Sequence, residues 1–261
     1  MSPRGIDILR SVKAIAAEDT RRTAKLLSHF GIGTRTISFR EQNREKATQD
    51  ILALMKEGDV ALVSDAGMPC ISDPGGFLVE SARDAGFQIK VVPGPTAAAS
   101  AVSLSGISAA GYVFMGFLPR NRSEKMETLA KSAVAGLPLV VYEAPSRVAE
   151  TLEAARDVFG DVKCVMAREM TKVYEEVLAG KITEMLSALS GEPMGEFVLV
   201  FNPIKTAENN VDMEAVKVEI ANQLKNGRRA KEISQMISSV YGISGKVAYS
   251  LVQEVKDELN K

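Results

Sequence analysis

The sequence is poor in the residues that build redox and metal sites: it has no tryptophan, one histidine and two cysteines among 261 residues. Cys70 and Cys164 are too few and too far apart for a disulfide framework or a zinc site. His29 alone gives a histidine metal centre or a Ser-His-Asp triad little to build on. The net charge is −1, so overall charge does not indicate a nucleic-acid or membrane partner. We therefore expect a protein without a bound metal.

Long apolar runs are also missing. No segment approaches the ~20 apolar residues that cross a membrane, and the first residues lack the apolar core of a signal peptide. The rest of the composition is ordinary for a globular chain, with 46% hydrophobic and 25% charged residues. These features predict a cytoplasmic α/β enzyme.

Strand and helix patterns alternate along most of the chain, which predicts parallel sheets covered by helices. We expect three parts: an α/β domain at 1–118, a second α/β domain at 119–203, and a helical module at 204–261. Within the last part, residues 203–211 resemble a linker, and Gly242 and Ser244 separate two helices as in a helix-turn-helix pair. The predicted strands are 13–20, 34–40, 59–67, 88–96 and 112–119 in the first series, and 138–145, 162–169 and 196–203 in the second.

Four predicted strands end in loops whose residues could hold a ligand. In open α/β sheets, ligands lie beyond the carboxyl ends of the strands. The loops carry Glu18 and Asp19, the stretch from Ser64 to Met68, the small residues after Pro95, and Tyr142 with Glu143 and Arg147. Aspartate and glycine are also ordinary turn residues, so a purely structural role stays open for each loop.

The loop in residues 61–76, ALVSDAGMPCISDPGG, contains two acidic glycine turns and no lysine. A carboxylate repels phosphate, but it accepts hydrogen bonds from ribose hydroxyls and offsets a cation. ATP or NAD would favour a phosphate-loop lysine or a G-x-G-x-x-G motif, and neither is present. The loop therefore favours an adenosyl sulfonium, S-adenosylmethionine. We expect Ser64 to Met68 to contact it, and Asp73 to Gly76 to turn the chain into a helix.

Seven blocks resemble the small-subunit ribosomal RNA ribose-2′-O-cytidine methyltransferases, which have the tetrapyrrole methylase fold. This resemblance implies two α/β domains with S-adenosylmethionine between them, a homodimer, and methylation of a cytidine ribose in the decoding region of the small ribosomal subunit. It implies donor contacts from Asp65, Ala66, Gly67, Met68, Thr96, Ala97, Tyr142, Ala167 and Phe197. The blocks are IAAEDTRRTAKLLSHFGI, ALVSDAGMPCISDPGGFLV, VVPGPTAAASAVSLSGI, FMGFLPR, VVYEAPSRVAETL, AREMTKVYEEVLAG and GEFVLVF.

Acidic and basic side chains near the same loops are the candidates for catalysis and RNA binding. We expect Asp19 or Glu18 to act as base or orienting acid, although both could simply cap the next helix and pair with its arginines. Two other functions stay open: methylation of a tetrapyrrole, or RNA binding by an inactive protein. The expected RNA contacts are Arg21, Arg22, Lys25, Arg120, Arg122, Arg147 and Arg168.

The sequence departs from the family pattern in two places. Family members begin with a strand and a Gly-Asn-Leu-x-Asp loop, whereas this sequence opens at MSPRG, which matches the segment after that loop. We therefore expect a strand and its loop, about twenty residues, to be missing from the first sheet. The second departure is Ser146, where the family motif has histidine.

Overall fold

The computed structural model describes residues 1–107, 110–189, 193–202, 213–241 and 245–259. They form two compact units: Met1–Leu104 with Met170–Tyr174, and Ser105–Glu169 with Glu175–Lys261. The predicted linker 203–211 and the turn at Gly242 and Ser244 lie outside the described residues. The domain limits at 118/119 and 203/204 remain predictions. None of the described helices has the length and apolarity needed to cross a membrane.

The first unit contains a three-stranded parallel sheet of order β2-β1-β3. Strand β1 lies in the centre, and its four residues are fully buried. Two apolar clusters cover the sheet, one around Phe39 and Ile51 and one around Leu9 and Leu27. The elements are α1 (Pro3–Ser11), β1 (Ala14–Ala17), α2 (Thr20–His29), β2 (Thr36–Ser38), α3 (Arg44–Met55), β3 (Val60–Val63), α4 (Gly76–Asp84) and α5 (Ala97–Ser105).

The predicted strand at 88–96 is wrong, because these described residues pair with no strand. The β-branched residues favour extended backbone, but a strand exists only where a neighbour supplies hydrogen bonds. Val91 is 66% exposed, so no sheet covers it.

The second unit contains a five-stranded sheet of order β4-β5-β8-β6-β7. Only β4 and β5 are parallel; the other three neighbouring pairs are antiparallel. The expectation of a parallel second sheet is therefore wrong. The elements are β4 (Val113–Phe117), α6 (Arg122–Ala133), β5 (Leu139–Glu143), α7 (Val148–Phe159), β6 (Lys163–Arg168), β7 (Glu176–Lys181), α8 (Ile182–Ala188) and β8 (Phe197–Phe201).

Strand β4 was expected to close the first series, but it pairs with β5 in the second sheet. Helix α6 and strand β7 were not predicted. The helix is mostly polar and contributes few residues, such as Leu129, to the core, while β7 is a largely exposed edge strand. Neither therefore has a strong apolar period.

Three helices follow: α9 (Met213–Lys225), α10 (Ala230–Tyr241) and α11 (Gly245–Leu259). They share an apolar core that includes Val216, Ile220, Ile233, Ile237 and Val252. The described residues of the predicted C-terminal module are thus helical, as expected.

Candidate functional site

Acidic side chains meet beyond the carboxyl ends of β1 and β3. One carboxylate oxygen of Asp65 accepts a hydrogen bond from the backbone N–H of Asp19 at 3.1 Å. The other oxygen lies 3.2 Å from a guanidinium nitrogen of Arg22. The Asp65 side chain is only 17% exposed, so these two contacts fix it at the junction of the two loops.

Asp19 caps helix α2, one of the two roles that the sequence left open for it. Its Oδ1 accepts hydrogen bonds from the backbone N–H groups of Arg21 and Arg22 at 2.8 and 3.4 Å, and its Oδ2 lies 3.1 Å from the Arg21 guanidinium. The side-chain bond from Arg21 and the backbone bonds hold the pKa of Asp19 well below its usual range. A carboxylate with so low a pKa is a poor proton acceptor.

The pKa values of the Glu18 and Asp73 carboxyls are raised, in contrast to that of Asp19. Burial is the main cause that raises the pKa of each carboxyl, and repulsion from Asp65 raises both further. Hydrogen bonds oppose the shift, from the backbone N–H of Asp65 to Glu18 and from Ser64 to Asp73. A partly buried acidic cluster favours a cationic ligand, because a positive charge would relieve this repulsion.

The loop after β3 is held by backbone geometry. The Ser64 hydroxyl oxygen lies 3.3 and 3.1 Å from the carbonyl oxygens of Ala66 and Gly67, and its single proton is shared between these acceptors and Asp73. Gly67 has φ 77°, and a Cβ there would lie 3.2 Å from the carbonyl oxygen of Pro95. Glycine is therefore required at this position.

The segment after Pro95 starts helix α5. The Thr96 hydroxyl accepts a hydrogen bond from the N–H of Ala99 at 3.1 Å, which caps the helix. A Cβ on Gly94 would lie 3.1 Å from the sulfur of Met68. The structure thus brings the Asp65–Met68 loop and the 94–96 turn together within the first unit. Ala97 is the first residue of α5 and is exposed.

In the second unit, Tyr142 and Ala167 lie on one face of the sheet, because both are aligned with Val198 of the intervening strand. Phe197 is the next residue of that strand, so its side chain points to the opposite face, where it joins the buried core. Only its backbone is therefore available on the side of Tyr142.

Two more aromatic rings flank Tyr142. The ring centroids of Phe114 and Phe117 lie 4.8 and 5.8 Å from that of Tyr142, in edge-to-face arrangements. A register shift between the two phenylalanines, at Gly116 with φ 60°, places both beside Tyr142. Phe117 is 56% exposed.

Arg147 belongs to a buried polar network. Its guanidinium donates to the carbonyl oxygens of Leu118 and Pro119 at 2.7 and 3.0 Å, and lies 3.3 Å from the Glu143 carboxylate. Glu143 also accepts hydrogen bonds from the Thr151 hydroxyl at 2.6 Å and the Ala144 N–H at 2.9 Å. With these contacts and 20% exposure of its side chain, Arg147 is positioned to hold the β4–α6 connection.

The other predicted RNA contacts differ in their surroundings. Lys25 and Arg120 are exposed, whereas Arg122 pairs with Asp157 at 2.7 Å. Arg168 lies 3.5 Å from Glu176, and its buried Nε has no hydrogen-bond partner among the described residues. The assigned roles of all the predicted site residues remain predictions.

The sequence placed Glu143 in a candidate loop but did not predict its burial, nor the burial of the Lys125 amine. The Lys125 side chain is fully buried and lies 2.9 Å from the half-exposed Glu150. Glu143 ends strand β5, so the helical i,i+4 rule does not signal its contact with Arg147. The polar, basic surroundings of Lys125 favour exposure rather than burial. In the parts of the chain that the structure describes, no group of three side chains is arranged to hold a metal.

Comparisons with known proteins agree with this architecture. Residues 1–186 match the family model described as tetrapyrrole (corrin/porphyrin) methylases. A conserved hypothetical protein from Aeropyrum pernix K1 has a similar fold, with a TM-score of 0.61, 17% identity, and coverage of 78% of this chain and 80% of that chain.

Several similar relatives carry the name ribosomal RNA small subunit methyltransferase I. The Thermotoga maritima protein is 43% identical over 76% of this chain and 90% of its own length. The Bacillus subtilis protein is 38% identical over 89% of this chain and 82% of its own. The Escherichia coli O157:H7 protein is 32% identical over 97% of this chain and 90% of its own length.

The chain therefore belongs to the tetrapyrrole methylase family. This confirms the predicted α/β fold class with a mostly parallel first sheet. The names of the relatives also confirm the predicted resemblance to the ribosomal RNA small subunit methyltransferases I.

Proposed function

We propose that the chain transfers a methyl group from S-adenosylmethionine to the ribose 2′-hydroxyl of a cytidine in the decoding region of small-subunit ribosomal RNA. The observation that carries this proposal is the identity of 32–43% to proteins named for small-subunit ribosomal RNA methylation. The assembled small subunit or its RNA is the expected partner, a homodimer the expected state, and the cytoplasm the expected location.

The residues of the first unit fit the methyl donor. Glu18, Asp65 and Asp73 form an acidic cluster, and the pKa of two of them is raised by burial and mutual repulsion. That environment suits a sulfonium cation and ribose hydroxyls, and it disfavours a polyphosphate. Gly67 and the turn at Gly94 present bare backbone, against which a flat purine can lie closely.

The donor supplies an activated methyl carbon, and the chain's residues supply orientation and a proton acceptor. We assign Asp65, Gly67 and Met68 to donor binding, together with Thr96. Between the two candidate bases, Glu18 is the better proton acceptor, because its pKa is raised while that of Asp19 is lowered. Asp19 then acts as the cap that orders α2 and the exposed guanidinium groups of Arg21 and Arg22 for contact with RNA phosphates.

The test is a methyl-transfer assay with purified chain, methyl-labelled S-adenosylmethionine and small ribosomal subunits that lack the modification. Nucleoside analysis by mass spectrometry should find 2′-O-methylcytidine. Label on a base, or label only on a precorrin-type tetrapyrrole, would contradict the proposal.

Donor binding is tested separately by calorimetric titration. Asp65→Asn should weaken donor binding about tenfold or more, because hydrogen bonds to a charged acceptor contribute about 1.5–3 kcal/mol. The matched control is Asp84→Asn, which makes the same charge change at an exposed position in the last turn of α4. Equal affinity of the two variants would remove Asp65 from the donor site.

A further inference from the structure

The C-terminal helices carry a concentration of positive charge where α9 is followed by α10. Residues 225–232 contain four basic side chains and a single acidic one, Glu232. All four basic residues are exposed, and none of them forms an ion pair with another described residue. We call these four residues the basic corner: Lys225, Arg228, Arg229 and Lys231.

Backbone hydrogen bonds fix the shape of the basic corner. The N–H of Arg228 donates to the carbonyl oxygen of Gln223 at 3.2 Å, and Gly227 between them has φ 77°. This is a common way to close the C-terminus of a helix. Helix α10 begins at once, since the N–H of Ile233 donates to the carbonyl oxygen of Arg229 at 3.0 Å. The four charges are therefore presented by a short, ordered connection.

The acidic side chains of these helices lie elsewhere. Lys217 of α9 is 2.6 Å from Glu254, and Glu214 and Glu258 also interact with it electrostatically. With a rise of 1.5 Å per residue, Lys225 lies about 12 Å further along the axis of α9. This separation exceeds the screening length of about 10 Å at 0.1 M salt. The acidic group around Lys217 thus does little to offset the positive field of the basic corner.

A nucleic-acid backbone suits the basic corner better than a lipid surface. A helix that lies on a membrane needs an exposed apolar face, whereas Ile233 and Ile237 of α10 are fully buried in the core of the three helices. Guanidinium groups such as those of Arg228 and Arg229 donate paired hydrogen bonds that match the geometry of a phosphate. The similar relatives are named for methylation of ribosomal RNA, which is rich in phosphate.

We propose that the basic corner binds the phosphate backbone of the substrate RNA and forms a second contact surface outside the reacting site. This proposal rests on the proposed RNA substrate, but it uses none of the residues assigned above to the donor or to RNA. Phosphate contacts position a nucleic acid without reading its bases. The basic corner therefore increases the affinity for RNA and leaves the methyl-transfer step in the bound complex unchanged.

The first test measures RNA binding by the full chain as a function of salt. The probe is a fluorescein-labelled oligouridylate of about 20 nucleotides, followed by anisotropy between about 0.05 and 0.3 M KCl. In Arg228→Gln/Arg229→Gln, the plot of log affinity against log salt should be less steep by about 1.4, because each lost contact to a single strand contributes about 0.7. With 1 M salt as the reference, this corresponds to about 25-fold weaker binding at 0.1 M.

Two control variants separate the charge of the basic corner from other effects. Arg83→Gln/Arg156→Gln makes the same charge change at exposed residues in the last turns of α4 and α7, and it should leave the slope unchanged. Arg228→Lys/Arg229→Lys keeps both charges and should keep most of the slope, because counterion release depends on charge. Circular dichroism spectra check that all three variants fold.

The second test uses the methyl-transfer assay with small ribosomal subunits. Arg228→Gln/Arg229→Gln should raise the KM for the subunits and leave kcat unchanged, since the bound complex reacts as before. Its affinity for the donor, measured by calorimetry, should equal that of the unsubstituted chain. A fall in kcat without a change in KM would contradict a contact that only binds RNA.

Two binding results would also overturn the proposal. The first is the same salt slope for Arg228→Gln/Arg229→Gln and for the control Arg83→Gln/Arg156→Gln. The second is unchanged RNA affinity together with lost binding to phosphatidylserine vesicles, which would identify anionic lipid as the partner. The oligouridylate titration needs no methyl donor, whereas the proposed function fails if the unsubstituted chain produces no 2′-O-methylcytidine. The two failures are therefore distinguishable.

Discussion

Replacement of Arg147 should destabilise the protein rather than weaken its contact with RNA. Arg147→Ala removes the partner of Glu143, a residue only 1% exposed, and it leaves the carbonyl oxygens of Leu118 and Pro119 without their donor. Removal of one partner of a buried ion pair costs about 3–5 kcal/mol. The Arg147 side chain is 20% exposed, so water can enter and the lower figure, about 3 kcal/mol, applies.

The assay is thermal and urea unfolding, followed by circular dichroism. A loss of about 3 kcal/mol should lower Tm by about 6–12 °C, at roughly 2–4 °C per kcal/mol for a chain of this size. The double variant Glu143→Leu/Arg147→Met should recover part of the loss, because it leaves no unpaired buried carboxylate. An unchanged Tm for Arg147→Ala, together with weaker RNA binding, would refute the structural role.

Three further predictions concern titratable groups. The pKa of Glu18 is raised above the ordinary 4.5, so its contribution to stability is complete at low pH and is lost as the pH rises through the folded pKa. Glu18→Gln should therefore raise Tm at neutral pH but not in acid. The same variant should flatten the pH–rate profile of methyl transfer. Lys125→Met should change the free energy of unfolding by less than about 1.5 kcal/mol, because it preserves volume and leaves Glu150 in water; a larger loss by urea titration would contradict this. Burial raises the pKa of Cys164 to about 12, so a thiol reagent should label only Cys70 in the native chain and Cys164 only after denaturation, and rapid labelling of both would refute the assignment.

Local signals in the sequence indicated where two of the helices start. Asp19 caps α2 as expected, and the Asp73–Gly76 turn leads into α4, because these features depend on neighbouring residues. The prediction of a strand at 88–96 was wrong for a different reason. The composition of this segment suits a strand, but a strand also needs a hydrogen-bonding partner, which the local sequence does not specify. The mixed direction of the second sheet also depends on long-range pairing and was not predictable from alternation.

In the candidate site, too, the sequence revealed local features but not those that depend on the folded chain. The acidic loop after β3 was recognisable from its glycines and its missing lysine. The opposite pKa shifts of Glu18 and Asp19 depend on burial and on hydrogen-bond partners in the folded chain, so the sequence left both as candidates. Phe197 was grouped with Tyr142 and Ala167, but strand register turns its ring to the other face.

The contact between Gly67 and Pro95 limits how this loop can evolve. Every missense change of a glycine codon adds a Cβ, and here that atom would lie 3.2 Å from a carbonyl oxygen at a backbone φ of 77°. No point mutation at this codon preserves the turn without strain. Ala66 beside it is exposed and has no positive φ, so a larger side chain can be added at residue 66 without the backbone strain that it would cause at residue 67.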